Sequence, residues 1–318
     1  MSKYRHALPQ MADTTFLSDG GMETTLIFQE GVELPLFASF VLMDTQDGRA
    51  RLRDYYERYL RIATDRGAGF ILDTPTWRAN PDWGQKLGYD AKGLKEINAA
   101  SIALMHELRA AWETPASPIV VSGAIGPRGD GYKAGRMDAD EAREYHAAQI
   151  ADFAEADADM VAAYTMNTIE EALGIALAAN DSGMPCAISF TVETDGRLAT
   201  GRTLREAIEA VDEATEGSPV YYLINCAHPS HFTGALEGGE PWLKRVRGAK
   251  ANASARSHQE LDESETLDAG DPADLGRRYR ALTAAFPQMR ILGGCCGTDH
   301  RHLAAICEAV MPAMARSA

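Results

Sequence analysis

The chain has 318 residues, a formal net charge of -15, 45% hydrophobic residues and 24% charged residues. This composition is typical of a globular protein, and the acidity argues against nucleic-acid binding, because contact with phosphates requires a basic face. The sequence shows no signal-peptide pattern and no run of about 18 apolar residues, so it predicts a cytoplasmic protein without a membrane span.

Most of the predicted strands are short apolar runs without polar alternation, the pattern of strands that are covered on both faces. In chain order they are residues 15–21, 69–74, 118–124, 159–165, 186–192, 221–226, 245–251 and 289–294. Segments with helical periodicity separate them. Helices are predicted over residues 48–67, 138–157 and 299–314, with further helix N-termini at Thr168 and Asp271. Glu171, three residues after Thr168, predicts a capping box.

The order of these elements predicts the fold class. Eight predicted strands, each followed by a helix or a helical loop, favour a (β/α)8 TIM barrel that forms a single domain over residues 1–318. An open doubly wound sheet is the alternative. Such a sheet more often carries a G-x-G-x-x-G turn after its first strand, whereas residues 19–23 read Asp-Gly-Gly-Met-Glu.

A long polar and acidic segment runs from Lys250 to Asp271, after the seventh predicted strand. Loops of this length in compact domains are usually functional or mobile. A functional loop and a solvated surface arm both agree with the sequence.

Chemically distinctive residues gather at the C-terminal ends of the predicted strands, where the active sites of such barrels lie. Asp19-Gly20-Gly21 ends the first strand, Asp73-Thr74 the second, and the Gly-Ala-Ile-Gly-Pro run at residues 123–127 the third. Asn225-Cys226 ends the sixth strand, and Gly294-Cys295-Cys296-Gly297 ends the eighth. We therefore expect these five groups to surround one site.

The cysteines at two of these strand ends predict a metal site. Strands six and eight are alternate strands, which contribute side chains to the same layer of a barrel, so Cys226 is expected to meet Cys295 and Cys296. Both members of the adjacent pair turn inward only if the backbone bends, and the flanking glycines permit that bend. Three thiolates suit Zn²⁺ and leave a fourth position open for a substrate thiol, which loses its proton there.

Other interpretations of the same residues stay open at this point. A packed turn with two buried thiols and a redox disulfide between Cys295 and Cys296 both agree with the pattern. Cys186 and Cys307 are predicted to be core residues.

The motifs together resemble the homocysteine S-methyltransferase family over nearly the whole chain. They are the opening Asp-Gly-Gly, the Ile-Gly-Pro turn at residues 125–127, Asn225-Cys226, and the Gly-Gly-Cys-Cys-Gly-Thr run at residues 293–298. The resemblance implies a barrel that binds zinc through Cys226, Cys295 and Cys296 and methylates homocysteine to methionine.

The resemblance also implies roles for substrate-binding residues. Asp19 matches the acidic residue that meets the homocysteine amino group. The backbone of Gly20, Gly21 and Met22 matches the turn near the substrate carboxylate, since glycine lets amide groups approach an anion closely. Asn225 precedes the first zinc ligand and is expected to orient it.

One position departs from the family pattern. Tyr164 stands where many members carry a glutamate that also binds the substrate amino group. A tyrosine offers a hydroxyl but no negative charge, and losing a charged partner costs about 1.5–3 kcal/mol of binding. Either the acceptor differs from homocysteine or another carboxylate substitutes, for which Glu193 is the candidate.

The expected activity is methyl transfer from an onium donor to a zinc-bound thiolate, with no separate protein nucleophile or base. A sulfonium such as S-methylmethionine or S-adenosylmethionine is the donor that the resemblance favours. The expected partners are these small molecules, without nucleic acid or membrane, and a homo-oligomer is compatible with the sequence. A zinc hydrolase or lyase and a non-enzymatic zinc or redox protein are the alternatives.

Overall fold

The structure, a computed structural model, describes residues 2–264 and 266–311. Eight parallel strands close into a barrel, in which each strand pairs with its neighbours along the chain and the last pairs with the first. The strands are β1 Phe16–Leu17, β2 Gly69–Asp73, β3 Ile119–Ile125, β4 Met160–Met166, β5 Cys186–Phe190, β6 Tyr221–Asn225, β7 Val246–Ala251 and β8 Ile291–Gly294. The predicted (β/α)8 barrel is confirmed.

Helices follow the strands on the outside of the barrel. They are α1 Gln46–Arg66, α2 Pro81–Lys86, α3 Ala91–Trp112, α4 Ala139–Glu155, α5 Ile169–Asp181, α6 Leu204–Thr215, α7 Pro229–Phe232, α8 His258–Asp262, α9 Pro272–Ala285 and α10 His300–Val310. Among the described residues, no helix is both long and apolar enough to cross a membrane. The last helix ends at Val310, where Met311 is already extended, so it stops short of the predicted end at residue 314, which itself lies outside the described residues.

Side chains of β4 alternate between two apolar layers, which explains why this strand lacks polar alternation. In β4, Met160 and Ala162 belong to the layer inside the barrel, while Val161 and Ala163 pack in the layer beneath the helices. Tyr164 continues the inner series. This register therefore aims Tyr164 at the interior, close to the C-terminal mouth.

The predicted stop residue of α1 and start residue of α5 are present, with one difference. Gly67 ends α1 in the left-handed conformation, with φ of 61°, and the side chain of Thr168 accepts a hydrogen bond from the amide of Glu171. Among the described residues, Glu171 does not complete the predicted capping box. Its Oε1 instead accepts a hydrogen bond from the amide of Arg128 and lies 3.0 Å from Nε2 of His146.

The first strand is shorter than predicted. It ends at Leu17 rather than at residue 21. The chain then turns away from the β2 side, because the amide of Gly21 donates to the carbonyl oxygen and hydroxyl of Thr298, each at 3.1 Å. This turn carries Asp19 and Gly20 into the mouth of the barrel.

Close packing between β7 and β8 makes Gly248 sensitive to substitution. A Cβ atom there would lie 1.9 Å from the carbonyl oxygen of Ile291. Gly248→Ala is therefore expected to lower the free energy of unfolding by about 3 kcal/mol or more, since the strands must separate or strain. Urea denaturation measures the change. Gly234→Ala, with no atom within 4 Å of the added carbon, is the matched control; equal stability of the two variants would contradict the packing.

Candidate functional site

A cavity of about 1370 Å³ opens at the C-terminal mouth of the barrel. The strand-end groups that begin at Asp19, Asp73, Gly123, Asn225 and Gly294 all contribute lining residues, as expected. The segment from Lys250 to Asp271 also contributes lining residues, namely Lys250, Asn252, Ser254, His258, Leu261, Ser264, Thr266, Leu267 and Asp268. This segment therefore forms part of the cavity wall.

Three cysteine sulfurs converge in this cavity. The Sγ atoms of Cys226, Cys295 and Cys296 all lie within 4.8 Å of one another. Cys226 and Cys295 are joined as a disulfide, with Cα atoms 5.4 Å apart, and Cys296 is exposed. Sulfurs that bind one tetrahedral zinc at about 2.3 Å lie roughly 3.8 Å apart, so a small adjustment of the reduced thiols fits this metal. The disulfide and the metal are alternative uses of the same sulfurs.

The backbone bend that brings both adjacent cysteines to the site is present. Strand β8 ends at Gly294, and Cys295 begins a turn that closes through a hydrogen bond from the amide of Thr298 to the Cys295 carbonyl, at 3.1 Å. Gly297 lies in the left-handed region at φ 80°. A Cβ atom on Gly294 would meet Oγ1 of Thr298 at 2.1 Å, so the turn requires glycine there. The predicted bend is confirmed.

Asn225 holds Cys226 in place. Its Oδ1 accepts hydrogen bonds from the amide of Thr165 at 2.9 Å and the hydroxyl of Ser189 at 2.7 Å. Its Nδ2 donates to Oγ1 of Thr165 at 2.9 Å and to Sγ of Cys226 at 3.3 Å. Cys226 itself adopts φ of 52°, which is unusual for a residue with a side chain. The amide therefore holds a cysteine of unusual backbone conformation and donates a hydrogen bond to its sulfur.

Asn225→Ala removes this support without removing a sulfur. We expect metal affinity about 10- to 100-fold weaker, because outer partners of metal ligands contribute on that scale. Competition with a chelator measures the affinity. Asn180→Ala, at an exposed position near the end of α5, is the matched control. Unchanged affinity of the Asn225 variant would show that the amide does not act on the metal site.

A buried cluster of charged groups lies beside the cysteines. Nζ of Lys250 donates to Oδ1 of Asp19 at 2.7 Å and to Oδ2 of Asp73 at 3.3 Å. The hydroxyl of Tyr164 donates to the same Oδ2 at 2.7 Å, and that of Tyr55 donates to Oδ2 of Asp19 at 3.0 Å. Burial raises the pKa of Asp19, although Lys250 opposes the shift. Burial lowers the pKa of Lys250, but the carboxylates of Asp19 and Asp73 outweigh this effect and hold that pKa above its usual value.

Sequence reasoning missed Lys250 as a site residue and gave Asp73 no role. The signal for Lys250 is a lysine inside a strand of small residues, Gly-Ala-Lys-Ala, because a buried cation needs a buried partner. Its place in the site follows from register, since Lys250 pairs with Asn225 on one side and with Gly293 on the other. Both neighbours belong to the cysteine motifs.

The predicted substrate residues divide into two groups. Gly20, Gly21, Met22 and Tyr164 line the cavity together with Asp19 and Asn225. Glu193 is not among the described lining residues, and its carboxylate lies 3.2 Å from Nδ1 of His258, which does line the cavity. The charged cluster shows that Asp73, not Glu193, is the carboxylate next to Tyr164.

The histidines near Cys226 are engaged elsewhere. His228 lies with Nδ1 2.7 Å from the hydroxyl of Ser230, and burial lowers its pKa to about 4. Nε2 of His231 lies 2.9 Å from the carbonyl oxygen of Ala255. His258 reaches the carbonyl oxygen of Cys226, a contact that the sequence pattern did not indicate. The metal-ligand candidates in the described chain are therefore the three thiols.

A comparison with known families decides the affiliation. The sequence profile described as homocysteine S-methyltransferase matches residues 16–310, which spans all eight strands. The chain belongs to the homocysteine S-methyltransferase family. It is accordingly an S-methyltransferase, and the resemblance seen in the sequence motifs is confirmed.

Solved structures agree on the fold of the family. The oxidized form of the homocysteine methyltransferase MmuM from Escherichia coli is 22% identical, with a TM-score of 0.72, and the match covers 96% of this chain and 99% of that chain. The metallated form of MmuM gives a TM-score of 0.71 at 22% identity, covering 95% of this chain and 98% of that chain. The two folds therefore coincide over nearly their whole length.

Proposed function

We propose that this chain is a zinc-dependent thiol S-methyltransferase that moves a methyl group from a sulfonium donor to homocysteine. The observation that carries the proposal is the convergence of three cysteine sulfurs within 4.8 Å in the cavity at the barrel mouth. Membership of the family supplies the reaction class, and the cavity supplies a place where two small molecules can meet.

The donor set favours zinc over other ions. Thiolate sulfurs are soft ligands that suit Zn²⁺, whereas magnesium and calcium require oxygen ligands. MmuM, which has a similar fold, has also been solved in a metallated form, which agrees with metal binding by a protein of this fold. When bound, zinc would keep the acceptor thiol deprotonated at neutral pH and so make its sulfur nucleophilic. Cys226, Cys295 and Cys296 would hold the ion, with the fourth position left to the acceptor.

The protein contributes alignment to the transfer. The acceptor thiol loses its proton to solvent, and its sulfur attacks the methyl carbon of the donor in line. The carbon–sulfur bond of the sulfonium breaks, its electron pair returns to the donor sulfur, and a neutral thioether leaves. The cavity walls provide proximity and orientation, which are worth several powers of ten in rate. No described side chain needs to act as a base in this step.

The charge of the cavity favours a cationic donor. Eight acidic residues line it, compared with five arginine or lysine residues. A cavity with an excess of one sign of charge concentrates ligands of the opposite sign. S-methylmethionine and S-adenosylmethionine both carry the sulfonium cation, so both meet this criterion.

A redox thiol protein is the second candidate, because the structure joins Cys226 and Cys295 as a disulfide. This pair differs from the adjacent Cys295–Cys296 pair that the sequence had suggested as the alternative. Cys226 follows β6 and Cys295 follows β8, so the disulfide joins residues at the ends of two different strands.

Product analysis tests the proposal. The reduced, zinc-loaded protein is incubated with homocysteine and one methyl donor at a time. The donors are S-methylmethionine, S-adenosylmethionine and glycine betaine, and methionine is measured by mass spectrometry. Methionine formed with a sulfonium donor is the expected result. Metal-loaded protein that forms methylated thiol with none of the three donors would refute the proposed reaction, and reversible Cys226–Cys295 oxidation without turnover would favour the redox candidate.

A further inference from the structure

One carboxylate oxygen of the charged cluster is buried and has no hydrogen-bond partner in the described part of the chain. Oδ1 of Asp73 has no hydrogen-bond partner among the described residues, although Asp73 is only 5% exposed. Its other oxygen accepts hydrogen bonds from both Tyr164 and Lys250. A buried carboxylate oxygen without a donor costs free energy, so its retention beside a ligand cavity indicates a donor supplied by the ligand.

The charges around Asp73 also call for a cation. Asp19 and Asp73 place two carboxylates around the single ammonium group of Lys250. Both oxygens of Asp19 are already engaged, by Lys250 and by Tyr55. One further positive charge, placed at Oδ1 of Asp73, would balance the cluster and satisfy its last oxygen.

The cluster is well placed for one end of the acceptor thiol. The carbonyl oxygen of Lys250 accepts a hydrogen bond from the amide of Cys226 at 3.1 Å, so the cluster adjoins the sulfur site. Asp19, Asp73, Tyr164 and Lys250 all line the same cavity as the cysteines. An amino acid whose sulfur lies at the cysteines shares this cavity with Asp73, so its ammonium group has a buried carboxylate available in the same cavity.

We propose that Asp73 binds the ammonium group of the acceptor thiol through Oδ1. Lys250 and Tyr164 contact Oδ2 of Asp73 and so hold the Asp73 carboxylate in position. The proposal rests on the proposed function and narrows its acceptor to thiols that carry an amino group. In this arrangement Tyr164 of β4 orients the carboxylate that binds the substrate, and Asp73 of β2 supplies the negative charge. Lys250 keeps Asp19 and Asp73 from repelling each other before the substrate enters.

A substrate pair isolates this contact. Homocysteine and 4-mercaptobutanoate share the thiol, the carbon chain and the carboxylate, and differ in the amino group. The wild-type, zinc-loaded protein is expected to show kcat/KM about 10- to 100-fold higher for homocysteine, because a hydrogen bond to a charged group contributes on that scale. Equal or lower kcat/KM for homocysteine would overturn the proposal while leaving methyl transfer to thiols intact.

Asp73→Asn tests the residue itself, since it keeps the shape of the side chain and removes its charge. We expect kcat/KM for homocysteine to fall about 10- to 100-fold, mainly through KM, with kcat/KM for 4-mercaptobutanoate within about threefold of wild type. If Asp73 had a purely structural role, the substitution would lower kcat/KM equally for both substrates, and this result would overturn the proposal. Asp65→Asn, at an exposed position of α1, is the matched control.

A binding measurement separates this proposal from the proposed reaction. Calorimetric titration gives the dissociation constants of both thiols for the metal-loaded wild type and, where it folds, the Asp73→Asn variant. Preferential binding of homocysteine that the substitution abolishes supports the contact even if no methyl group is transferred. Wild-type protein that binds both thiols equally would overturn the contact, whether or not the variant folds.

Discussion

Replacing Cys226, Cys295 or Cys296 by alanine is expected to remove the metal and methyl transfer together. The three sulfurs form one cluster, so each substitution leaves two thiolates where an open zinc site requires three protein ligands. We expect metal content below about one tenth per chain, and activity lowered by more than about 100-fold, because even outer partners of metal ligands contribute about 10- to 100-fold. Elemental analysis and product formation measure the two quantities on the same samples.

Cys307→Ala is the matched control for these variants. Cys307 is buried in α10, away from the cavity lining, and burial raises the pKa of its thiol to about 12. This variant is expected to keep both metal and activity, with some loss of stability from the small cavity created. Full activity of an alanine variant at any of the three cluster positions would contradict the proposed metal site.

Lys250→Met is expected to produce the largest loss of stability. The substitution keeps the length of the side chain but leaves the carboxylates of Asp19 and Asp73 buried without their cation. Breaking a buried ion pair by removing one partner costs about 3–5 kcal/mol. Urea denaturation, with the metal removed from all samples, measures the free energy of unfolding without a contribution from metal binding.

Two comparisons show whether charge causes the loss. Lys244→Met makes the same change at an exposed position and is expected to leave stability within about 0.5 kcal/mol of wild type. Adding Asp19→Asn and Asp73→Asn to Lys250→Met neutralises the two abandoned carboxylates and is expected to restore part of the loss. A Lys250 variant as stable as the Lys244 variant would show that the cluster does not stabilise the fold.

The barrel was predictable from sequence because its strands are buried on both faces. Residues inside the barrel and beneath the helices are mostly apolar, so most strands appear as continuous apolar runs that need no knowledge of register. The first strand is the exception. Its predicted extension through Gly21 leaves the sheet, because Gly21 bonds to Thr298, a residue 277 positions away in the chain.

The cysteine cluster was predictable for a related reason. Its members stand at strand ends, and strand ends of a closed barrel meet at one mouth wherever they fall in the chain. Short motifs at Cys226 and at Cys295-Cys296 therefore sufficed to bring the sulfurs together.

The charged cluster was not predictable in the same way. Its contacts join residues 231 and 177 positions apart, and they depend on which side of each strand faces inward. A one-residue error in register would turn Lys250 out of the barrel. Glu193 illustrates the difficulty. It follows β5 at the C-terminal end of the barrel, where the site lies, yet its carboxylate pairs with His258. Proximity to a strand end identifies candidates, but side-chain direction selects among them.

The most direct test is to measure zinc content and methyl transfer on one preparation of the reduced protein, before and after chelation. About one zinc per chain, methionine formed from homocysteine and a sulfonium donor, and loss of both on chelation that added zinc reverses would agree with the proposed site. Methyl transfer that persists at full rate in protein stripped of metal would contradict it.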